Sequence, residues 1–207
     1  MIHLYTDSSP NGFKISIALE ELNLTYQLHH VRIDAGEHQR PEFLALNPHG
    51  RIPVLVDDEN GIILFESAAI LLYLANKTQR LISSDPLQYW KTVQWLIFHA
   101  SSVGPILGQR VHFEMFEQPP YESAIQRYRA LTESTFLTLD QQLQQSPWIA
   151  GQDYSIADIA HFSWLHIAQI IGFDFSQFPH LSTWFQRVAE RPAVQRGISI
   201  PHPATGP

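Results

Sequence analysis

The hydrophobic rhythm of the chain changes once, near residue 76. Before that point short apolar runs alternate with single helical stripes. Ile2-His3-Leu4-Tyr5 opens a strand at 2–6. The turn-rich cluster Ser8-Ser9-Pro10-Asn11-Gly12 then leads into a helix from about Phe13 to Leu22. Its apolar residues Ile15, Ala18, Leu19 and Leu22 recur at intervals of three and four, as an amphipathic helix requires. A second strand is predicted over Tyr26–Ile33, followed by a loop from Asp34 to Arg40. Pro41 opens a short helical turn, a position where its missing N–H costs nothing. Val54-Leu55-Val56 and Ile62-Ile63-Leu64 make a hairpin around Asp57–Gly61, and an apolar helix over 67–76 closes the unit. The order βαβαββα predicts a sheet of mixed polarity, covering residues 1–76.

Beyond this unit only helical patterns remain. Residues 77–85 read as a linker and 86–207 as an all-helical domain. Asp85-Pro86-Leu87-Gln88 has the form of a helix start, with Asp as cap, Pro at the first position and Gln reaching back. Trp90, Val93, Ile97 and Ser101 follow one face, and Gly104-Pro105 is expected to kink or interrupt the helix. A longer helix from about Glu122 to Gln144 carries Ile125, Tyr128, Thr132, Thr135, Leu139 and Leu143 at helical spacing. In Tyr154-Ser155-Ile156-Ala157-Asp158-Ile159, Ser155 and Asp158 are spaced as a reciprocal capping box. That box is a folding feature and not a catalytic one. The three prolines of Ile198–Pro207 suggest an extended cover or a loose end.

Composition narrows the classes. A hydrophobic fraction of 44%, with five Trp and twelve Phe, describes a globular chain. The net charge of −7 argues against a nucleic-acid surface. No stretch approaches the ~18 apolar residues of a spanning helix, and the start lacks the form of a signal peptide. A cytoplasmic protein is expected. There is no cysteine, so redox chemistry through a protein thiol is excluded, but not redox chemistry in which the substrate supplies the thiols. The eleven histidines lack metal-ligand spacing, His161 and His166 being five apart and His29 and His30 adjacent. No metal is expected.

The densest chemical signal lies between residues 47 and 67, in Asn47-Pro48-His49-Gly50-Arg51-Ile52-Pro53 and Leu64-Phe65-Glu66-Ser67. Proline directly before a β-type run is awkward for a ladder, unless the Pro53 bond is cis and turns Ile52's N–H and C=O outward. Glu66 and Ser67 fall where a helix begins. Free N–H groups there suit a ligand carboxylate, and the Glu66 carboxylate suits a ligand ammonium. A ligand with an α-amino acid head and an extended peptide backbone is implied. Glutathione fits that description.

This segment resembles the glutathione-binding signature of the cytosolic glutathione transferase superfamily, a thioredoxin-like domain followed by a helical one. The resemblance runs from His3-Leu4-Tyr5 to Arg191-Pro192-Ala193-Val194. Gly104-Pro105-Ile106-Leu107-Gly108-Gln109, with Asn11, is similar to the bacterial Nu-class members in particular. The resemblance implies an α/β thioredoxin-like domain with an all-α domain carrying a second-substrate pocket. It assigns thiolate activation to Ser9 and Asn11, where Nu-class enzymes have Thr and Asn. Tyr5 is a rival donor, since several animal-type classes use a tyrosine near this strand. Arg51, Ile52, Pro53, Glu66 and Ser67 would hold glutathione. His38 and Arg40 match contact positions, with His38 standing where the family has Gln. Arg127 would reach a second glutathione or a partner subunit. The implied activity is reduction of disulfides by glutathione, with peroxides or electrophiles as further substrates, in a homodimer. Alternatives are a conjugating transferase and a non-enzymatic regulatory or assembly module on the same fold.

Overall fold

The computed structural model describes residues 1–201 and divides into two compact units. One comprises Met1–Arg80 together with the segment from Ala189 onward; the other is Leu81–Val188.

In the first unit, β1 (Ile2–Thr6), β2 (Tyr26–His30), β3 (Val54–Asp57) and β4 (Ile62–Phe65) form one sheet in the order β2-β1-β3-β4. β1 pairs parallel with β2 and antiparallel with β3, and β3 pairs antiparallel with β4. The register places Tyr5 opposite both His29 and Val54, and Val54 opposite Phe65. Consequently the chain after Thr6, after His30, before Val54 and after Phe65 all lies at one end of the sheet. The sequence elements singled out for chemistry meet there because of strand register alone.

α1 (Pro10–Leu22) starts at this end, capped by Ser9, whose Oγ accepts the Gly12 N–H at 3.0 Å. It is more deeply buried than one amphipathic stripe predicts: every residue from Gly12 to Leu19 is buried, including Lys14 and Ser16. The cause is α9 (Pro192–Gly197), which packs on α1 within the same unit. Arg191 makes a two-pronged ion pair with Glu21, at 2.6 and 2.9 Å, and Arg196 pairs with Glu20. Gly197 lies so close to Ile17 that a Cβ there would come within 2.6 Å of its backbone. The expected all-helical domain 86–207 therefore differs from the observed division at its C-terminal end. Residues 202–207 of the Pro-rich tail lie outside the described residues.

The second strand stops at His30 rather than Ile33. The Asp7 carboxylate captures the Ile33 N–H at 2.9 Å, and the backbone turns back at Gly36. A 3₁₀ turn at Glu37–Gln39 and α2 (Pro41–Leu44) follow. The Ile52–Pro53 bond is cis. α3 (Ser67–Thr78) completes the sequence of elements.

The second unit contains α4 (Pro86–Phe98), α5 (Gly104–Val111), α6 (Glu122–Gln145), α7 (Ile156–Ile170) and most of α8 (Pro179–Ala189). Asp85 caps α4 by accepting the Gln88 N–H at 2.9 Å. Gly104-Pro105 does not interrupt the chain as expected. A π-helical turn at His99–Val103 widens the helix just where Pro105 withholds an N–H, and α5 continues from it. The face of Trp90 and Ile97 is exposed, while Thr92, Leu96 and His99 point inward. The Ser155–Asp158 capping box is present. Asp158 also accepts from the Ile149 N–H and from the Trp184 indole, at 2.9 and 2.8 Å, so one buried carboxylate ties three segments together. Burial pushes its pKa up to about 6, against the opposing pull of those hydrogen bonds.

No helix among the described residues is long and apolar enough to cross a membrane.

Candidate functional site: a two-part cleft at the end of the sheet

At the end of the sheet where the four segments meet, a cavity of about 450 Å³ is lined by Ser9, Asn11, His38, Gln39, His49, Gly50, Arg51 and Ile52, with Ile33 at its edge. A smaller hollow of about 160 Å³ adjoins it, lined by Asn11, Asn47, His49, Arg51, Ile52, Pro53, Glu66 and Ser67. Asn11, His49, Arg51 and Ile52 belong to both. The combined cleft falls within the size range that holds small ligands.

Local chemistry shapes each wall. Asn47 is buried; its amide donates to the Arg51 carbonyl at 2.6 Å and its Oδ1 accepts the His49 N–H at 3.0 Å. That pair of bonds curls residues 47–51 into a rigid turn and presents Arg51 and Ile52. Gly50 takes φ +62° inside the turn, and a Cβ there would meet the Gln39 side chain at 2.6 Å. Glycine satisfies both constraints. Glu66 has φ 72°, ψ 108°, an unfavourable conformation for a residue with a side chain. Its carbonyl accepts the Ile70 N–H at 3.0 Å, so the strain is held by the first bond of α3. α3 begins at Ser67, which lines the smaller hollow.

Behind Asn11 and Ser67 is a buried residue that sequence patterning missed. Lys14 is only 3% exposed, yet its Nζ donates to Asn11 Oδ1 at 2.8 Å and to Ser67 Oγ at 3.1 Å. Burial lowers its pKa to about 7, partly offset by attraction to the Glu66 carboxylate. The available signal was a lone lysine inside Phe13-Lys14-Ile15-Ser16-Ile17, a run with no polar face to receive it. His49 and Gln39 were likewise not singled out.

The structure brings Ser9, Asn11, His38, Arg51, Ile52, Pro53, Glu66 and Ser67 into this cleft. His38 has a buried Nδ1 with no protein partner. Arg40 lies elsewhere: it pairs with Glu37 at 3.4 Å and lines a separate cavity with Tyr5, His29 and Phe43. The reason is the 3₁₀ turn at Glu37–Gln39, which turns His38 and Gln39 toward the cleft while Arg40 lines the separate cavity. Tyr5 stacks on the His29 ring, 4.2 Å between centroids, on the same side as that second cavity. It does not line the cleft. Arg127 is an exposed residue of α6 in the helical unit, without an ion pair among the described residues. No group of three or more metal-ligating side chains occurs among the described residues.

Comparison with known proteins agrees with this geometry. Residues 2–76 match the family model of the glutathione S-transferase N-terminal domain, and 109–192 that of the C-terminal domain. The chain is 38% identical over 203 residues to the disulfide-bond oxidoreductase YfcG of Escherichia coli K12, covering 96% of this chain and 94% of that one. Among solved structures, a glutathione transferase from Burkholderia graminis with two glutathione molecules bound per subunit superposes with a TM-score of 0.92 at 38% identity, over 97% of this chain and 88% of its own. One from Pseudomonas putida with a glutathione disulfide bound gives 0.90 at 38% identity, over 97% and 91%.

Proposed function

The chain belongs to the glutathione S-transferase superfamily, and from that premise we propose that it is a glutathione-dependent thiol:disulfide oxidoreductase. The observation that carries the reading is the shared wall of the cleft. Asn11 stands at the junction of the cavity that holds Ser9 and the hollow that holds Glu66 and Ser67.

Glu66 would receive the ammonium of the γ-glutamyl head, and Ser67 with the α3 N-terminus its carboxylate. Arg51 and Ile52 would hold the extended backbone, with Pro53 shaping the turn and His38 at the opposite wall. The cysteinyl sulfur then falls near Ser9 and Asn11. Ser9 Oγ already accepts the Gly12 N–H, so its own hydrogen is available to donate to the sulfur. A free thiol with pKa ~8.5 is only a few per cent ionised at pH 7. One or two charge-assisted bonds of ~1.5–3 kcal/mol each suffice to make the thiolate the main form.

The thiolate attacks one sulfur of a disulfide RSSR′. A glutathione–SR bond forms, and R′S⁻ leaves and takes up a proton. A second glutathione thiolate attacks the glutathionyl sulfur, giving glutathione disulfide and releasing RS⁻. Two glutathiones are oxidised and one disulfide reduced. No protein sulfur takes part, consistent with the absence of cysteine.

Peroxides and electrophiles would meet the same thiolate. A cytoplasmic location, where glutathione is kept reduced, is part of the proposal. So is a two-fold homodimer. Leu87, Trp90 and Ile97 of α4 are exposed apolar side chains of the kind an interface covers. Light scattering at micromolar concentration should give twice the 23.7 kDa chain mass. Arg127 would serve a second glutathione or the partner subunit, and Arg40 a more distant electrostatic role.

The reading is tested by following the ultraviolet thiolate absorbance of bound glutathione against pH. A thiolate persisting below pH 7 supports it; a bound thiol that ionises as in water contradicts it.

A further inference from the structure

The amide of Asn11 and the hydroxyl of Ser67 are each able to donate or accept, so something must decide which face they show a ligand. Lys14 decides it. An ammonium has three donors and no acceptor, so both partners must turn oxygens toward it. The Asn11 amide is thereby set with its NH₂ on the side away from Lys14, and the Ser67 hydrogen is directed away from Nζ. The sulfur and the γ-glutamyl carboxylate, two anionic groups of glutathione, both need donors.

We propose that Lys14 is a positioning residue whose buried ammonium sets Asn11 and Ser67 as donors toward the sulfur and the γ-glutamyl carboxylate, and that ligand binding and the protonation of Lys14 are coupled. The inference rests on the glutathione reading above and deepens it.

Three further observations bear on it. Lys14 ionises near pH 7 in the unliganded protein, so a modest field is enough to shift it. The charge acting on it is Glu66. A ligand ammonium on that carboxylate would weaken its pull on Lys14, whereas a ligand carboxylate beside Ser67, which Nζ touches at 3.1 Å, would add a negative charge close to Nζ, and proton uptake follows from this second effect. Several other charged groups on or beside the elements packed around α1 are engaged elsewhere. Asp7, after β1, is bonded to His30 and to the Ile33 N–H; Arg191 and Arg196 of the α9 segment are paired with Glu21 and Glu20 at the far end of α1. On α3, Lys77 is paired with Asp57 and Glu59.

The test uses the intact protein and S-methylglutathione, which keeps both carboxylates and the ammonium but has no ionisable thiol. Calorimetric titration at pH 7 in two buffers of different ionisation enthalpy counts the protons taken up on binding. The wild type should take up a fraction of a proton, at most about half. Lys14→Met should take up none and bind at least tenfold more weakly. Absence of uptake in the wild type overturns the inference whatever the variant does, and so does uptake that survives in Lys14→Met. Those results leave the glutathione site standing if S-methylglutathione still binds. If the wild type binds neither it nor glutathione, the site reading fails, and this inference falls with it.

Discussion

Lys14 Nζ lies 3.1 Å from Ser67 Oγ, joining the first helix to the start of a helix 53 residues further along the chain. An ammonium held 3% exposed is costly, and the fold keeps it beneath the cleft. The sign of the cost follows from its pKa, lowered from 10.5 to about 7 in the folded state. A depressed folded value contributes stability that is full above the unfolded pKa and is lost as pH falls through about 7.

At pH 7 that penalty is roughly 4 kcal/mol. Lys14→Met removes it but leaves Asn11 Oδ1 and Ser67 Oγ without this donor, at about 1–3 kcal/mol. The variant should therefore melt higher than the wild type at pH 7, and the difference should shrink toward pH 10. Thermal unfolding at several pH values checks this. A wild type that melts higher at pH 7 would contradict the assigned burial cost.

Glu66 and Ser67 should be dispensable for folding and needed for binding. Glu66→Ala and Ser67→Ala are each expected to raise the glutathione dissociation constant at least tenfold, about 1.4 kcal/mol. Relief of the positive φ is not expected from alanine, which also carries a Cβ. Unchanged affinity in both variants by calorimetry would remove the head-group site.

Ser9 has two duties, and they separate experimentally. Its oxygen caps α1, worth ~0.5–2 kcal/mol of stability, while its hydrogen is assigned to the sulfur. Ser9→Ala should lose both, whereas Ser9→Thr should keep both. Ser9→Asn should keep a cap with a displaced donor. A Ser9→Ala enzyme with full activity and a lower melting temperature would confine Ser9 to capping.

Asp158 is the clearest pH-linked group of the helical unit. Its folded pKa is raised from 3.8 to about 6, so its contribution is present below pH 4 and is lost as pH rises through about 6. The loss amounts to roughly 3 kcal/mol. Asp158→Asn has no such titration. Denaturant unfolding should show the wild type's advantage over Asp158→Asn narrowing between pH 4 and pH 8. A gap that widens with pH would mean that the hydrogen bonds from Ile149, Ser155 and Trp184 outweigh burial.

Elements whose signals are local were legible from sequence. Asp85 and Ser155 cap the helices they precede, and the hairpin strands at 54–57 and 62–65 lie where the apolar runs put them, whereas the first helix starts at Pro10, capped by Ser9, three residues before the expected Phe13. The cleft was legible insofar as its residues cluster in chain order, from Asn47 to Ser67. Lys14 was hidden because its partners and its burial are set by tertiary packing: α9 covers α1 from nearly 180 residues away in sequence, as in the 181-residue span from Ser16 to Gly197. Arg40 was misplaced for a related reason. Spacing alone does not tell which way a 3₁₀ turn will point its successive side chains.

A cysteine-free enzyme that uses an activated glutathione thiolate on disulfides has a kinetic signature. Its most direct test compares kcat/KM for glutathione-driven reduction of a small model disulfide with that for conjugation of an aryl halide, in the wild type and in Asn11→Ala. Disulfide reduction should exceed conjugation by at least tenfold, and Asn11→Ala should lower it ten- to a hundredfold, about 1.4–2.7 kcal/mol of transition-state stabilisation. Rapid conjugation with disulfides left intact would make this a conjugating transferase. Tight glutathione binding with neither reaction would make it a binding module instead.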